Sequence, residues 1–144
     1  MIIWLASYPK SGNTYVRAFL SAYYFSKDGQ FDFSQISNID QFPHEKFFKQ
    51  KVSSINEASK QWMPIQREIN QDKKIKFFKT HSFLGNYQGN QFTTPETTLG
   101  AVYIVRDPRN VLTSLKNHYS FDDDKALKMI TDKKRWLMSN NGSF

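Results

Sequence analysis

Ile2-Ile3-Trp4-Leu5-Ala6-Ser7-Tyr8-Pro9-Lys10-Ser11-Gly12-Asn13-Thr14-Tyr15-Val16 decides the fold. Ile2 to Ala6 is an apolar run, and Tyr8-Pro9-Lys10-Ser11-Gly12 closes it with loop signals, so the run reads as a buried strand. From Thr14 the period changes: Val16, Phe19, Leu20 and Tyr23 recur at helical spacing, which predicts an amphipathic helix ended by Lys27-Asp28-Gly29. Strand, Gly-containing loop and helix in this order favour negative charge at the loop, because free backbone N–H groups and the positive helix end converge there. Gly12 allows close backbone approach, Lys10 adds a full charge, and Ser11, Asn13 and Thr14 add donors. The loop is not a Walker A sequence, whose lysine follows the second glycine; here the lysine precedes the only one. On its own the segment is equally a turn with a solvated lysine.

Two further strands follow. Lys74-Ile75-Lys76-Phe77-Phe78-Lys79 reads as the second and ends at Thr80-His81; Ala101-Val102-Tyr103-Ile104-Val105 reads as the third and ends at Arg106. The third is apolar throughout, as expected of a parallel strand covered on both faces. Ser54-Ile55-Asn56-Glu57 matches a capping box, and Ile55, Ala58, Trp62, Ile65 and Ile69 form a helical stripe in which Pro64 predicts a kink or a restart. Asp107 is a helix cap with Pro108 at the first position, and Val111, Leu112, Leu115 and Tyr119 give that helix its inner face. A last helix is expected from Asp122 to about Met138 on Ala126, Leu127, Ile130 and Leu137. From Phe31 to Val52 there is little periodicity; loops and short turns that dock aromatics are expected, with Gly85 to Gly100 a polar loop. Strands alternating with helices give an α/β domain with a parallel sheet and right-handed crossovers.

Composition narrows the partner. The chain has 144 residues, no cysteine, 16% aromatic residues and a net charge of +7. Disulfides, thiolate nucleophiles and global disorder are excluded, and the basic excess favours an anionic partner. The apolar start has no preceding basic residue and is too short to span a bilayer, so a cytoplasmic protein without a membrane span is expected.

In open α/β sheets ligands bind beyond the carboxyl ends of the strands. Three polar clusters fall there: Lys10 to Thr14, Lys79 to His81, and Arg106 with its followers. Ser7-Tyr8-Pro9-Lys10-Ser11-Gly12-Asn13-Thr14-Tyr15 resembles the 5′-phosphosulfate loop of the sulfotransferases that use 3′-phosphoadenosine 5′-phosphosulfate (PAPS). Val105-Arg106-Asp107-Pro108-Arg109-Asn110-Val111-Leu112-Thr113-Ser114 is similar to their 3′-phosphate motif, and Lys79-Thr80-His81 to the segment holding their catalytic histidine.

The resemblance implies a P-loop NTPase-like parallel sheet flanked by helices. It implies that Lys10 contacts the phosphosulfate, that Ser11, Gly12, Asn13 and Thr14 wrap its oxygens, and that Tyr15, in the place of a tryptophan, stacks on the adenine. Arg106 and Ser114 take the 3′-phosphate. His81 is the expected general base, Lys10 stabilises the leaving bridging oxygen, and Lys79 is a supporting cation. No metal is expected, and the product is adenosine 3′,5′-bisphosphate. His44, His118 and Arg109 are expected to be ordinary surface, packing or locally paired residues. The acceptor is a small-molecule, glycan or lipid hydroxyl, or an amine, met by the segment from Phe31 to Phe48 and the loop after His81. A P-loop-like nucleotide kinase and a basic nucleic-acid-binding module are the alternatives. The missing Walker lysine weighs against the first, and the dispersed basic residues against the second.

One departure is large. The family's C-terminal Gly-rich basic motif, commonly G-x-x-G-x-W-K, has no match after Arg106, and the sequence ends at Asn140-Asn141-Gly142-Ser143-Phe144. Residues 1–144 are therefore expected to be the N-terminal portion of a longer sulfotransferase-like domain, retaining both phosphate sites but binding PAPS weakly and turning over slowly or not at all.

Overall fold

The computed structural model describes residues 1–132. Strand β1 (Ile2–Ser7) is central, with Ile2, Trp4 and Leu5 buried. It is followed by helix α1 (Asn13–Phe25), helix α2 (Ile55–Ile69), strand β2 (Lys76–Thr80), a short hairpin of β3 (Asn86–Tyr87) and β4 (Asn90–Gln91), strand β5 (Thr98–Ile104), helix α3 (Pro108–Tyr119) and helix α4 (Asp123–Thr131). The main sheet has the order β2-β1-β5 and both pairings are parallel, as the alternation of elements predicts. Ala6 lies opposite Thr80 and Tyr103, so the carboxyl ends of all three strands emerge at one edge. That edge carries Tyr8–Thr14, His81 and Arg106.

The main core fills one face of the sheet. Trp4 is its centre, with ring centroids 5.2 Å from Phe92, 5.7 Å from Phe42 and 6.1 Å from Phe78. Trp62 and Ile65 of α2 close over them, and the Trp4 indole N–H donates to Thr98 Oγ1 at 2.8 Å. Stacking geometry of this kind adds to the area term that dominates core energetics. A smaller cluster lies beneath the strand ends: Val111 and Leu115 of α3 with Met129 of α4, and Tyr8, Phe121 and Ile130 against them. Tyr8 thus ties the first loop to α3 and α4.

Several expectations change. The stripe Phe19 and Tyr23 on α1 is exposed at 62% and 70%, and the buried residues of the helix are Asn13 and Ser21. Asn13, Arg17 and Ser21 share a face at four-residue spacing, and Asn13 and Arg17 use it to donate to backbone carbonyls of β1 and of the 33–39 segment, where an apolar stripe would serve packing alone. β5 is not covered on both faces: Leu99, Val102 and Tyr103 are exposed, because α3 and α4 pack on each other below the strand ends. Pro64 neither restarts nor splits α2, which continues from Ile55 to Ile69. Burial of Trp62, Ile65 and Gln66 on either side of the proline offsets the one backbone bond it cannot make.

At the start of α2 the Ser54 hydroxyl accepts from Glu57 N at 3.3 Å, but the Glu57 carboxylate turns back to Ser53, one residue earlier than a capping box requires. On α3, Leu112 is half-buried and Tyr119 exposed, leaving Val111 and Leu115 as the inner face. On α4, Leu127 is exposed and Met129 takes the inner position; the expected continuation from 133 to Met138, with Leu137, lies outside the described residues.

The aperiodic segment holds two short 3-10 turns, Phe33–Asn38 and Glu45–Phe47. Between them Asp40–Phe42 runs parallel to β2: Lys79 N donates to Asp40 O at 2.7 Å, and Phe42 N donates to Lys79 O at 2.8 Å. Phe42, Phe47 and Phe48 dock into the core, whereas Phe33 stays exposed beside Phe31.

Candidate functional site

The first loop is held in a conformation that a helix start does not ordinarily need. Gly12 sits at the N-cap with φ +100°, in the region that favours glycine, and no side chain caps α1. The first amides of the helix are therefore left without a capping acceptor. Lys10 also has a positive φ of 66°, a conformation that costs a non-glycine residue about 1–3 kcal/mol. Ser11 is nearly buried, and its amide closes the turn on the Tyr8 carbonyl at 3.3 Å. Thr14 is exposed, and Tyr15 presents its ring to solvent at 78% exposure.

Asn13 departs from its expected use. Its side chain is buried, and its Nδ2 donates to the Leu5 carbonyl at 2.8 Å and the Ser7 hydroxyl at 3.2 Å. The side chain is turned into the fold, so only the backbone amide of Asn13 remains for an anion.

Arg106 reaches this loop from the end of β5 and donates to the Lys10 carbonyl at 3.0 Å. It forms no ion pair among the described residues. Asp107 is engaged elsewhere: it caps α3 by accepting from Arg109 N at 2.9 Å and grips the Arg109 guanidinium at 2.6 Å. Arg109 is thus the locally paired residue, as expected, and Arg106 is left to face the loop. Ser114 lies half-buried on α3, two turns beyond the cap.

The end of β2 brings the third cluster in. His81 Nδ1 lies 2.7 Å from the Ser7 carbonyl oxygen and 3.3 Å from the Ser7 hydroxyl. A carbonyl oxygen only accepts, so Nδ1 carries the proton and Nε2 bears the free lone pair. Burial pushes the His81 ring down to about 4, against the Ser7 bond, and the neighbouring charges of Lys79 and Arg17 push in the same direction as burial. The imidazole is consequently neutral at neutral pH. Lys79 donates to Gln41 Oε1 at 3.0 Å, and its ammonium is pushed down to about 8, first by burial and then by Arg17 and Lys10. Lys10, Arg17, Lys79 and His81 therefore share one positive field.

Arg17 is the residue that sequence reasoning missed. It donates to the Ile36 carbonyl at 3.0 Å and to the Ile39 carbonyl, fastening the segment before Asp40 to α1. Its burial lowers its own pKa, and Asp40 opposes that. The signal available was a basic residue inside a helix whose inward positions are polar. His44 caps a 3-10 turn by accepting from Lys46 N, and His118 packs its ring edge-on to Tyr119; both lie apart from the site. Among the described residues no helix is long and apolar enough to cross a membrane.

The structure thus brings Lys10, Ser11, Gly12, Asn13, Lys79, His81 and Arg106 to one edge of the sheet. The family model described as Sulfotransferase domain matches residues 2–144. No curated protein and no solved structure matches the chain.

Proposed function

The chain belongs to the sulfotransferase domain family, and from that premise we propose that it transfers a sulfuryl group from PAPS to a hydroxyl or amine acceptor. When bound, PAPS supplies the sulfuryl group and departs as adenosine 3′,5′-bisphosphate. The residues fit a nucleotide charged at both ends. The uncapped start of α1 with Lys10 suits the 5′ end, through the amides of Gly12, Asn13 and Thr14 and through Ser11. Arg106, which has no carboxylate partner among the described residues, suits the 3′-phosphate together with Ser114. The exposed ring of Tyr15 suits the adenine.

The observation that carries the reading is the state of His81. Its Nδ1 is bound to Ser7, its Nε2 is free to accept, and it stands in the same field as Lys10 and Lys79. In this role Nε2 takes the acceptor proton. Lys10 faces the negative charge that gathers on the departing oxygen, and Lys79 adds positive potential, by analogy with phosphoryl transfer. A bound anion raises both His81 and Lys79, which brings the base closer to the pH where general-base catalysis is effective. The acceptor is a small-molecule, glycan or lipid hydroxyl, or an amine. With Phe42, Phe47 and Phe48 committed to the core, Phe31, Phe33 and the loop after His81 are left to meet it.

Titration calorimetry of the whole chain with adenosine 3′,5′-bisphosphate in the presence of a chelator tests the site. Wild type is expected to bind, and Lys10→Ala and Arg106→Ala each to lose about tenfold or more, the scale of a charge-assisted contact. Unchanged affinity in both variants sinks the assignment. Binding of ATP only with magnesium would favour a kinase. Salt-steep DNA binding without nucleotide preference would favour a nucleic-acid module.

A further inference from the structure

We propose that Asn13 is a positioning residue for His81: its side-chain amide grips the Ser7 hydroxyl and the Leu5 carbonyl, and so fixes the end of β1 that holds the imidazole with Nε2 free. The inference rests on the reading of His81 as the base. It assigns Asn13 a different task from wrapping the oxygens of a bound anion.

Three observations carry it. First, the amide orientation is settled chemically. The Leu5 carbonyl can only accept, so the group 2.8 Å from it is Nδ2, and the second hydrogen of Nδ2 reaches Ser7 Oγ at 3.2 Å. Second, the chain of contacts is buried. Asn13 is 4% exposed and Ser7 5%, so water does not substitute for either partner cheaply. Third, Ser7 offers His81 Nδ1 two oxygens, the carbonyl at 2.7 Å and the hydroxyl at 3.3 Å. The paired register of β1 with β2 ends at Ala6 and Thr80, so on the side of His81 Ser7 has no strand partner, and the sheet holds it only through Ile104 of β5. Asn13, one residue after Gly12, is what ties Ser7 to the start of α1.

The consequence is a link between the anion loop and the base. The same residue offers its backbone amide at the uncapped start of α1 and its side chain to the support of His81. Lys79 and Arg17 are the charged groups that face the ring, and both oppose its protonation. If the Ser7 oxygens shift, Nδ1 loses its acceptor and the second tautomer becomes populated. The lone pair then appears on the wrong nitrogen.

Imidazole nitrogen NMR on the uniformly labelled whole chain reads this without any assay of activity. The chain has three histidines, and His44→Gln and His118→Gln identify the signals of His81. Wild type is expected to show a single Nδ1–H tautomer. Asn13→Ala is expected to show both tautomers and a His81 titration moved by about one pH unit or more. Ser7→Ala, which removes only the hydroxyl, is expected to move the same signals less, and Ser7→Thr to restore them. Where Asn13→Ala does not fold, the Ser7 pair decides alone. A folded Asn13→Ala with wild-type His81 signals overturns the proposal, as does a Ser7→Ala indistinguishable from wild type. Failure of wild type to bind adenosine 3′,5′-bisphosphate counts against the sulfuryl-transfer reading, whereas the tautomer of His81 tests the role of Asn13 whether or not the bisphosphate binds.

Discussion

Lys79→Met is expected to change how stability depends on pH in one direction only. In the folded chain the Lys79 ammonium is pushed from its ordinary 10.5 down to about 8, mainly by burial and then by Arg17 and Lys10. Between those two values the unfolded chain holds a proton that the folded chain has released. Wild-type stability therefore falls as pH drops from about 10.5 to 8, and this loss is complete below 8. At about 1.4 kcal/mol per tenfold change the full displacement amounts to about 3 kcal/mol. The side chain is partly open to solvent, so screening reduces the expected effect to about 1–2 kcal/mol.

Methionine keeps the aliphatic stem and removes the charge. The lost bond to Gln41 and the altered packing shift the variant by an amount that does not vary with pH. The quantity to measure is thus the difference between variant and wild type, by urea unfolding at pH 7 and at pH 10. The variant is expected to gain about 1–2 kcal/mol relative to wild type at the lower pH. A difference that is flat with pH, or one that favours the variant more at pH 10 than at pH 7, refutes the claim that this lysine is held against its own desolvation. The same variant is expected to bind adenosine 3′,5′-bisphosphate more weakly, because the positive field at the strand ends has lost one of its sources.

His81 gives the same sign of dependence at lower pH. Its folded value near 4 lies below the ordinary 6.5, so stability is lost as pH falls from about 6.5 to 4, by at most about 3 kcal/mol, and His81→Gln is expected to remove that slope in unfolding curves. The same variant is expected to lower sulfuryl transfer by about 10²–10⁴ while leaving bisphosphate affinity within about threefold, measured by radiolabel transfer and calorimetry. Gly12→Ala is expected to cost about 1–2 kcal/mol in unfolding free energy, because φ +100° is strained for any residue with a Cβ although no atom lies within 4 Å of one built there. Arg106→Ala and Arg109→Ala are expected to part company in the binding assay: the first weakens bisphosphate binding and the second changes it by less than about twofold, since Arg109 is closed on Asp107.

The sheet and its polar edge are legible in the sequence because they depend on local signals. An apolar run, a Pro-Lys-Ser-Gly loop and a change of period place β1 and α1 within a residue or two, and Asp107-Pro108 places the start of α3. What cannot be read depends on partners far along the chain. Asp40–Phe42 has no strand pattern of its own and pairs with β2 through two backbone bonds, after which Phe42 enters the core. Gln66 is fully buried because Phe92, Thr93 and Thr97 supply its partners from 26 to 31 residues away. The inward face of α1 differs from its periodicity for the same reason. Hydrophobicity puts Phe19 and Tyr23 inside, but Asn13 and Arg17 have carbonyl acceptors on β1 and on the 33–39 segment that the sequence does not reveal. At the site, residue types are legible and orientations are not. Asn13 looks like a loop donor until its amide is seen to face Leu5, and His81 has no fixed tautomer until Ser7 is beside it.

The groups at the strand ends are each unfavourable for the chain by itself, and most of them are unfavourable in the same electrostatic sense. Lys10 holds a left-handed backbone, α1 begins without a side-chain cap, and Lys79 keeps an ammonium where burial and two like charges oppose it. Arg106 faces a backbone carbonyl where a carboxylate would be the better partner. Independent defects in a fold have no reason to share a sign, yet the costs of the uncapped amides, the Lys79 ammonium and the Arg106 guanidinium are all lessened by negative charge placed at one edge of the sheet, while the Lys10 backbone is a separate steric cost. A doubly charged anion satisfies the α1 amides, raises Lys79 and gives Arg106 an oxyanion, so its binding free energy includes the relief of costs already present in the folded chain. Lys79→Met, which removes one such cost, is therefore expected to gain stability relative to wild type on going from pH 10 to pH 7 and to bind the bisphosphate more weakly. A Lys79→Met variant that gained this stability without losing affinity would break the argument that the charge cost and the anion site are the same feature.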